Sequence, residues 1–460
     1  MPLAPDPLAD GGVTGFAARL RRGDITAVEA TRAYLDRIAA LDGALGAYQH
    51  VAAGPAVAAA RAVDQALAAG TDLGPLMGVP VSVKDLFAVE GMPTTAGSLV
   101  DVGDAVGAEG PFVRRLRAAG CVLLGKTRTV EFALGITGAS APRGTPVNPW
   151  DARTPRLPGG SSSGAGVAVA ASLCGFAVGA DTGGSVRVPA ALCGVVGLKT
   201  THGLWPAEGA FPLAPHLDSV GLLTGTAEDA ATVFTALTGG RRIRAAALDG
   251  LRAGRLTGSF GAEPELERAV DEAAAALRRR GATVTDAALP EAAEREEYFT
   301  AVLPARLVGT LGAERFHRER HRMDPVIAAR AATGLDVLPA RLEALEERRA
   351  RAVESAAARL ARWDACLSPT TTVTAPAAAE AADPAAGLAL ALAMTRNTQP
   401  VNYLGQCAVS LPLPRAAGEL PAGLQIACPG GADARLLAVA LAVERALGPA
   451  RRPDLTAFLN

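Results

Sequence analysis

Two short loops rich in glycine and serine, with an apolar segment between them, constrain the fold of this chain more than any other feature. The first reads GGSSSG over residues 159–164, and the second reads DTGGS over residues 181–185. Sixteen mostly small apolar residues separate them. Glycine lets a backbone approach a ligand closely, and successive N–H groups in such a loop form a concavity for an anion. With a hydroxyl in each loop, the segment is a candidate acyl-transfer site.

Lysine is rare in this chain, and its few positions are informative. Of 45 lysines and arginines only three are lysine, Lys84, Lys126 and Lys199, and all lie in the first 200 residues. A guanidinium stays charged in proteins, whereas an amine loses its proton when it is desolvated. A position that keeps lysine in an arginine-using chain is therefore suspected of requiring an amine. Lys84 is the strongest of the three candidates.

The composition indicates a large folded protein and disfavours several partners. The 460 residues are 49% hydrophobic and 20% charged, which is enough to bury a large core. A formal net charge of −1 provides no basic field for a phosphate backbone, so we expect no nucleic-acid binding by this chain alone. The six cysteines lack metal-ligand spacing, which is typical of reduced core residues.

Two segments bear on location. Residues 1–12 have neither the basic region nor the apolar core of a secretory signal, which predicts a cytoplasmic protein. Residues 157–180 carry no charge, but they contain four serines and many small residues and end at Asp181. This composition favours a buried loop and helix over a membrane span.

Helical and strand patterns alternate along the chain. They predict helices over 56–69, 111–119, within 165–175, 263–280, 341–363 and 433–447, the last with Asp433 as its N-cap. Alternating or short apolar runs predict strands over 79–84, 121–124, 176–179, 282–284 and 365–367. Lys84 is expected at the end of its strand, on the face opposite the valines. The alternation predicts an α/β fold whose sheet is covered by helices on both faces.

The serine loops belong to a longer set of motifs. These are GGSSSG at 159–164, DTGGSVR at 181–187, PA at 189–190, CGVVGLK at 193–199, GVPVSVKD at 78–85, LGKT at 124–127, EFA at 131–133, LDSVG at 217–221 and GLQ at 423–425. Together they resemble the amidase signature family over essentially the whole chain, with a signature core at about residues 75–225. The resemblance implies a single domain over residues 1–460, built on a twisted, mixed central β-sheet.

The resemblance also implies a Ser-Ser-Lys site. Ser185 would be the nucleophile, Ser161 a relay and Lys84 the base, and the interval of 24 residues between the two serines matches that of the family. In the family the relay serine follows a cis peptide bond, expected here between Gly160 and Ser161. The implied reaction is hydrolysis of a linear amide through an acyl-enzyme.

The same chemistry can be argued from the residue types. A serine hydroxyl is a weak nucleophile until a base takes its proton. None of the five histidines lies in a motif position suited to that role, whereas a buried lysine that stays neutral can serve as the base. Ser161 would carry the proton between Lys84 and Ser185 and later return it to the leaving amine. The oxyanion hole would consist of the backbone N–H groups of Thr182, Gly183, Gly184 and Ser185.

Other interpretations of these residues compete. Residues 160–164 match the G-x-S-x-G nucleophile elbow with Ser162 as nucleophile, but no strand leads into the loop and no acid-then-histidine order follows it. Simple tight turns are disfavoured by the paired loops and their spacing. Lys126 and Lys199 are expected to support the sheet or loops. Arg187 is expected to brace the oxyanion loop through Asp181, with contact to an anionic substrate as the alternative.

The substrate is less constrained by the sequence. The preferred interpretation is a free-standing amidase that acts on a small-molecule amide and releases ammonia or an amine, with an allophanate-like or carboxybiuret-like ureido hydrolase as a variant. The alternative is the glutamine-cleaving component of a tRNA-dependent glutamine amidotransferase. Thr395 stands where that component has a substrate-side acid, residues 200–204 depart from its loop, and Arg349 matches its carboxylate-binding arginine only weakly. An inactive scaffold is disfavoured because all three proton-handling positions are present.

Pocket residues and partners follow from weaker signals. The candidates for lining an acyl pocket are Phe132, Trp205, Phe211 and Tyr403, each with an ordinary core position as the alternative. The sequence has neither metal-ligand spacing nor a dinucleotide-binding glycine motif, so we expect no metal and no organic cofactor. We expect a small-molecule substrate and no membrane association, and a homodimer is an open alternative to a monomer.

Overall fold

The computed structural model describes residues 3–459, and in this part of the chain the strands form one eleven-stranded sheet. In chain order the strands are β1 (Tyr48–Val51), β2 (Pro80–Lys84), β3 (Val122–Thr127), β4 (Phe176–Asp181), β5 (Val196–Lys199), β6 (Ser219–Thr224), β7 (Arg252–Leu256), β8 (Thr283–Ala287), β9 (Ala365–Pro369), β10 (Cys407–Pro412) and β11 (Gly423–Cys428). Their order across the sheet is β1-β3-β2-β4-β6-β5-β10-β11-β9-β7-β8.

Helices flank this sheet. In chain order they are α1 (Gly12–Arg22), α2 (Ala27–Leu45), α3 (Ala53–Ala68), α4 (Gly103–Val106), α5 (Pro111–Ala118), α6 (Ser163–Ala170), α7 (Arg187–Cys193), α8 (Ala227–Thr238), α9 (Pro264–Arg278), α10 (Arg295–Leu311), α11 (Ala313–Glu319), α12 (Pro325–Ala332), α13 (Pro339–Leu360), α14 (Pro384–Thr395), α15 (Gln399–Tyr403) and α16 (Asp433–Leu447). A short 3-10 turn, Glu131–Ala133, follows β3.

The sheet is mixed. Strand β2 pairs in parallel with β3 and β4, and β7 pairs in parallel with β8 and β9. The central strands β4, β6, β5, β10 and β11 pair antiparallel in that order. The prediction of an α/β fold with a large mixed sheet flanked by helices is confirmed. The single domain over residues 1–460 stays a prediction.

Three neighbouring parallel strands bring the two candidate catalytic segments together. Val83 of β2 pairs with Lys126 of β3 on one side and with Val178 of β4 on the other. All five residues of β2 are buried. Because parallel strands carry their carboxyl ends to the same edge of a sheet, Lys84 at the end of β2 and Asp181 at the end of β4 lie at one edge.

The helix between the two serine loops is packed too tightly to accept larger residues. Every residue of α6 is buried. A Cβ atom on Gly164 would lie 2.1 Å from the Ala47 carbonyl oxygen and 2.6 Å from the Arg128 amide nitrogen. Glycine in the first serine loop is therefore required by close backbone approach, which explains why that loop reads as small residues.

Most predicted elements occur within a few residues of their predicted limits, with one error of role. Helix α3 begins at Ala53, three residues earlier than predicted, because Pro55 is tolerated within a first helical turn. The prediction that Asp433 caps α16 is wrong. Ala432 is the N-cap and Asp433 is the first helical residue. The Asp433 carboxylate instead accepts hydrogen bonds from the Thr201 amide (2.8 Å) and hydroxyl (2.5 Å), which ties α16 to the loop after β5.

The six cysteines are buried and unpaired, as the sequence predicts. Among residues 3–459, no helix has both the length and the apolar character that a membrane crossing requires.

Candidate active site

Lys84 ends β2 with its side chain in the protein interior. The residue has no exposed surface. Its Nζ atom lies 2.8 Å from Ser161 Oγ and 3.4 Å from the Ala180 carbonyl oxygen. The structure therefore brings together the predicted base and the predicted relay.

The environment of Lys84 favours its neutral form. Burial lowers the pKa of the Lys84 ammonium from 10.5 to about 7, although the charges of Asp181 and Asp218 act in the opposite direction and raise it. A charged amine loses its hydration when it is buried, whereas a neutral amine keeps a lone pair that accepts a proton. Near neutral pH a large fraction of the molecules thus hold Lys84 as a base.

The first serine loop presents Ser161 to Lys84 and keeps its neighbours engaged elsewhere. The peptide bond between Gly160 and Ser161 is cis, in agreement with the resemblance. The Ser161 carbonyl accepts a hydrogen bond from the Val130 amide (3.1 Å). Ser162 and Ser163 are both fully buried, and the Ser162 hydroxyl donates to the Ala180 carbonyl (3.4 Å). The interpretation of Ser162 as the nucleophile of an elbow therefore finds no support in its surroundings.

The second serine loop follows β4 directly and lies against the first. Ser185 is 4% exposed. Its carbonyl accepts a hydrogen bond from the Ser162 amide (3.1 Å), which joins the two loops. Within the described chain the Ser185 hydroxyl makes no hydrogen bond, so it is the hydroxyl of the two loops that remains uncommitted.

The predicted oxyanion donors differ in their present bonding. Across residues 3–459 the amides of Thr182, Gly183 and Ser185 find no hydrogen-bond acceptor, whereas the Gly184 amide donates to the Asp181 carboxylate (2.8 Å). Gly184 has φ +127°, and a Cβ atom there would lie 2.2 Å from Thr398 Oγ1. Gly184 therefore shapes the loop through its conformation, while the other three amides are available to an oxyanion.

A buried ion pair braces this loop. The Arg187 guanidinium donates to the two Asp181 carboxylate oxygens at 2.9 and 3.1 Å. It also donates to the Thr398 carbonyl (3.0 Å), to Gln425 Oε1 (2.6 Å) and to Asn402 Oδ1 (2.6 Å). A guanidinium has five N–H donors, and these bonds use all five. Arg187 is therefore occupied within the protein, which supports bracing over contact with an anionic substrate.

The brace fixes the charge state of Asp181. Burial raises the pKa of the Asp181 carboxyl, but the Arg187 charge and hydrogen bonds outweigh burial, so the pKa lies well below its ordinary value. The carboxylate also accepts from the Val186 amide (3.1 Å) and from Asn402 Nδ2 (2.9 Å). A permanently ionised, fully bonded carboxylate thus holds the backbone of the second serine loop.

Two residues of this brace were missed by the sequence reasoning. Asn402 lies on α15, and its amide group donates to both the carbonyl and the carboxylate of Asp181. Thr398 precedes α15, and its hydroxyl donates to the Gly183 carbonyl (2.9 Å). The available signal was a run of polar residues, 397–399 and 402, within an otherwise apolar C-terminal region.

Asp218 holds the first residue of the loop from the other side. It accepts hydrogen bonds from the Thr182 hydroxyl (2.6 Å) and from the amides of Leu213 (3.0 Å) and Ala214 (2.9 Å). Burial raises the pKa of the Asp218 carboxyl, and these donors oppose that rise. The LDSVG motif was noted in the sequence, but the role of its acid was not.

The other two lysines have structural partners, in keeping with the prediction. Lys126 is buried and pairs with Asp85 (2.9 Å) and Thr94 Oγ1 (2.8 Å). Lys199 is buried and donates to the carbonyls of Thr200 (2.9 Å) and Gln406 (2.8 Å). Burial lowers the pKa of both amines, that of Lys199 to about 8. Neither amine contacts a serine hydroxyl in the described chain.

A cavity of about 580 Å³ adjoins the loop. Trp205 and Phe211, two of the four candidate pocket residues, line it. Phe132 is fully buried and its ring packs on Phe211 at 5.2 Å, while Tyr403 is buried and donates to Glu294 (2.8 Å). The other two candidates are therefore core residues rather than cavity lining.

Comparison with known proteins places the chain among enzymes of similar design. A protein-family model described as amidase matches residues 29–437. The chain is 40% identical to 2-amino-5-chloromuconic acid deaminase of Comamonas testosteroni, over 94% of this chain and 95% of that protein. It is 35% identical to the A-type component of glutamyl-tRNA(Gln) amidotransferase from Acidothermus cellulolyticus, over 94% of this chain and 93% of that protein. The crystal structure of native peptide amidase from Stenotrophomonas maltophilia is 28% identical and superposes with a TM-score of 0.81, covering 98% of this chain and 100% of that one.

Proposed function

Because this chain belongs to the amidase family and is a hydrolase that acts on amides, we propose that it cleaves a small-molecule carboxamide through an acyl-enzyme on Ser185. The observation that carries the proposal is the 2.8 Å contact between the buried Lys84 Nζ and Ser161 Oγ. An amine that is neutral near pH 7 and bonded to a hydroxyl is a base with a proton relay attached.

In the first half of the proposed reaction, Ser161 passes its hydroxyl proton to neutral Lys84 and takes the proton of Ser185. The Ser185 oxygen forms a bond to the amide carbon, and the carbonyl electron pair moves onto oxygen. The uncommitted amides of Thr182, Gly183 and Ser185 are suited to bind that oxyanion. Donors fixed before the reaction cost no reorganisation as the charge develops, and each typically contributes about 3 kcal/mol.

Collapse of the tetrahedral intermediate breaks the C–N bond. The leaving nitrogen takes the proton that Lys84 holds, through Ser161, and departs as ammonia or an amine. Water then adds to the acyl carbon while Ser161 and Lys84 accept its proton, and the proton returns to Ser185 as the acid is released. The base is regenerated neutral, so each turnover consumes one water and leaves no net charge on the site.

The brace beneath the loop suits this chemistry. A carboxylate close to a developing oxyanion would oppose it, but the Asp181 charge is paired with Arg187 and fully hydrogen-bonded. The same pair holds the backbone of residues 184–186 rigid through two amide contacts. Arg187 and Asp181 are therefore positioning residues, which orient the donors without touching the substrate.

The relative named as a deaminase supports a free-standing enzyme with a small substrate, because that protein is similar over almost its whole length. The second candidate function, the glutamine-cleaving component of an amidotransferase, is favoured by the 35% identity to such proteins. Thr395 argues against it. Its hydroxyl donates to the Ala391 carbonyl (2.9 Å) of its own helix and supplies no acid. The Arg349 guanidinium reaches the Asn402 carbonyl at 3.5 Å, the limit of a hydrogen bond.

A substrate panel with ammonia detection tests the proposal. The purified chain alone, without tRNA or a partner protein, is expected to release ammonia from at least one small carboxamide, and the Ser185→Ala variant is expected to release none. Ser162→Ala is the matched control and should retain activity. Glutamine cleavage that appears only with tRNA and a partner protein would overturn the free-standing assignment.

A further inference from the structure

We propose that the 580 Å³ cavity beside the second serine loop is a subsite for an uncharged apolar group of the substrate, of ring size or larger, and that it rejects carboxylates. The inference deepens the proposed function and rests on it for the word substrate. It concerns binding, which can be measured without turnover.

The walls of the cavity fit a ring. They are formed by aromatic and aliphatic side chains, among them Phe87, Val106, Trp205, Phe211 and Leu213. Phe112, Trp205 and Phe234 pack against one another at 5.1 and 5.6 Å between ring centres, which keeps the Trp205 wall in place. A volume of about 580 Å³ is in the range of pockets that enclose small organic ligands.

The charges around the cavity disfavour an anion. No lysine or arginine is among its described lining residues, and its ionisable lining residues are Asp218, Glu208 and His202. The Asp218 carboxylate is held by a hydroxyl and two amides rather than by a cation. A bound carboxylate would therefore face a negative charge without a counter-ion in a partly desolvated space, where such repulsion is strong.

The position of the cavity links it to the chemistry. Ala180 and Thr182, which flank Asp181, both line it. The Ala180 carbonyl is also the second contact of Lys84 Nζ at 3.4 Å, and Thr182 supplies one of the uncommitted amides. A group seated in the cavity thus lies next to the residues that frame the nucleophile, on the side of Lys84 and Asp218.

The test is calorimetric binding to the Ser185→Ala variant, which removes turnover. The probes are benzamide and 4-carbamoylbenzoate, which differ by one carboxylate. We expect benzamide to bind about tenfold more tightly or better, and Asp218→Asn to shrink that preference. Ala207→Phe, which fills the cavity, should weaken benzamide binding about tenfold, whereas Ala262→Phe, the same change at a partly buried position outside the cavity, should leave it within about twofold.

Equal or tighter binding of the carboxylate would overturn the inference, as would unchanged benzamide binding in Ala207→Phe. Circular dichroism of each variant separates a filled cavity from a misfolded chain. The proposed function fails separately. If the wild type hydrolyses no amide while Ser185→Ala binds benzamide as described, the subsite stands and the acyl-enzyme does not.

Discussion

Arg187 donates two hydrogen bonds to the carboxylate of Asp181, at 2.9 and 3.1 Å, and neither side chain has any exposed surface. Removal of one partner of a buried pair leaves the other charge uncompensated, which typically costs about 3–5 kcal/mol. We therefore expect Arg187→Met to lower the free energy of unfolding by that amount. Urea unfolding measures it, with Arg242→Met as control, because Arg242 is 79% exposed and pairs with Glu228 at the surface. Equal effects of the two substitutions would contradict the role of the brace.

The pH dependence of the reaction is expected to follow Lys84. Its deprotonated form is the active one, and burial lowers the pKa of the ammonium to about 7, so kcat/KM should rise with pH through about 7 and then level off. Lys84→Arg keeps a permanent charge and should reduce kcat/KM at least about a thousandfold at every pH. A profile that is flat from about pH 6 to about pH 8 would show that another group supplies the base.

Asp218 is expected to tune that profile. Its negative charge raises the pKa of Lys84, so Asp218→Asn should move the midpoint of the profile to lower pH by roughly half a unit or more. Thr182→Val is the matched comparison, because it removes the 2.6 Å hydrogen bond to Asp218 but keeps the charge. It should lower the rate without moving the midpoint. A midpoint that moves equally in both variants would assign the effect to loop geometry instead.

Glu131 is expected to make stability depend on pH. It is buried, accepts hydrogen bonds from the Ser98 hydroxyl (2.6 Å) and the Asp324 amide (2.6 Å), and burial raises the pKa of its carboxyl from 4.5 to about 7. The folded state therefore binds the proton more tightly than the unfolded state, and the Glu131 contribution to stability falls as pH rises from about 4.5 to about 7.

Glu131→Gln should remove that contribution. We expect the variant to gain stability relative to the wild type as pH rises through this window, by on the order of 3 kcal/mol at most. Denaturant midpoints at several pH values measure the difference between the two proteins. A constant difference between them would contradict the assigned titration.

The local features of the site were readable in the sequence because they depend on near neighbours. The alternation of Val79, Val81 and Val83 with polar residues indicated a strand that ends at Lys84, and β2 ends there. The glycine spacing indicated two loops around a buried helix, and α6 lies between them. In both cases a few adjacent residues determine the conformation.

The remaining features depend on contacts between distant parts of the chain. Asn402 reaches Asp181 because β4, β6, β5 and β10 are adjacent in the sheet, which places the helix before β10 beside the end of β4. The sequence pattern does not specify that strand order. The Gly184 amide is also bonded to Asp181, and no residue type reveals such a bond, because it depends on the backbone conformation of the loop.

The most direct test of the central claim is covalent labelling of the native chain with a fluorophosphonate, mapped by peptide mass spectrometry from about pH 5 to about pH 9. The account predicts label on Ser185, a labelling rate that rises through about pH 7, and loss of labelling in both Lys84→Ala and Ser161→Ala. Label on Ser162, or undiminished labelling of Ser185 without the Lys84 amine, would contradict it.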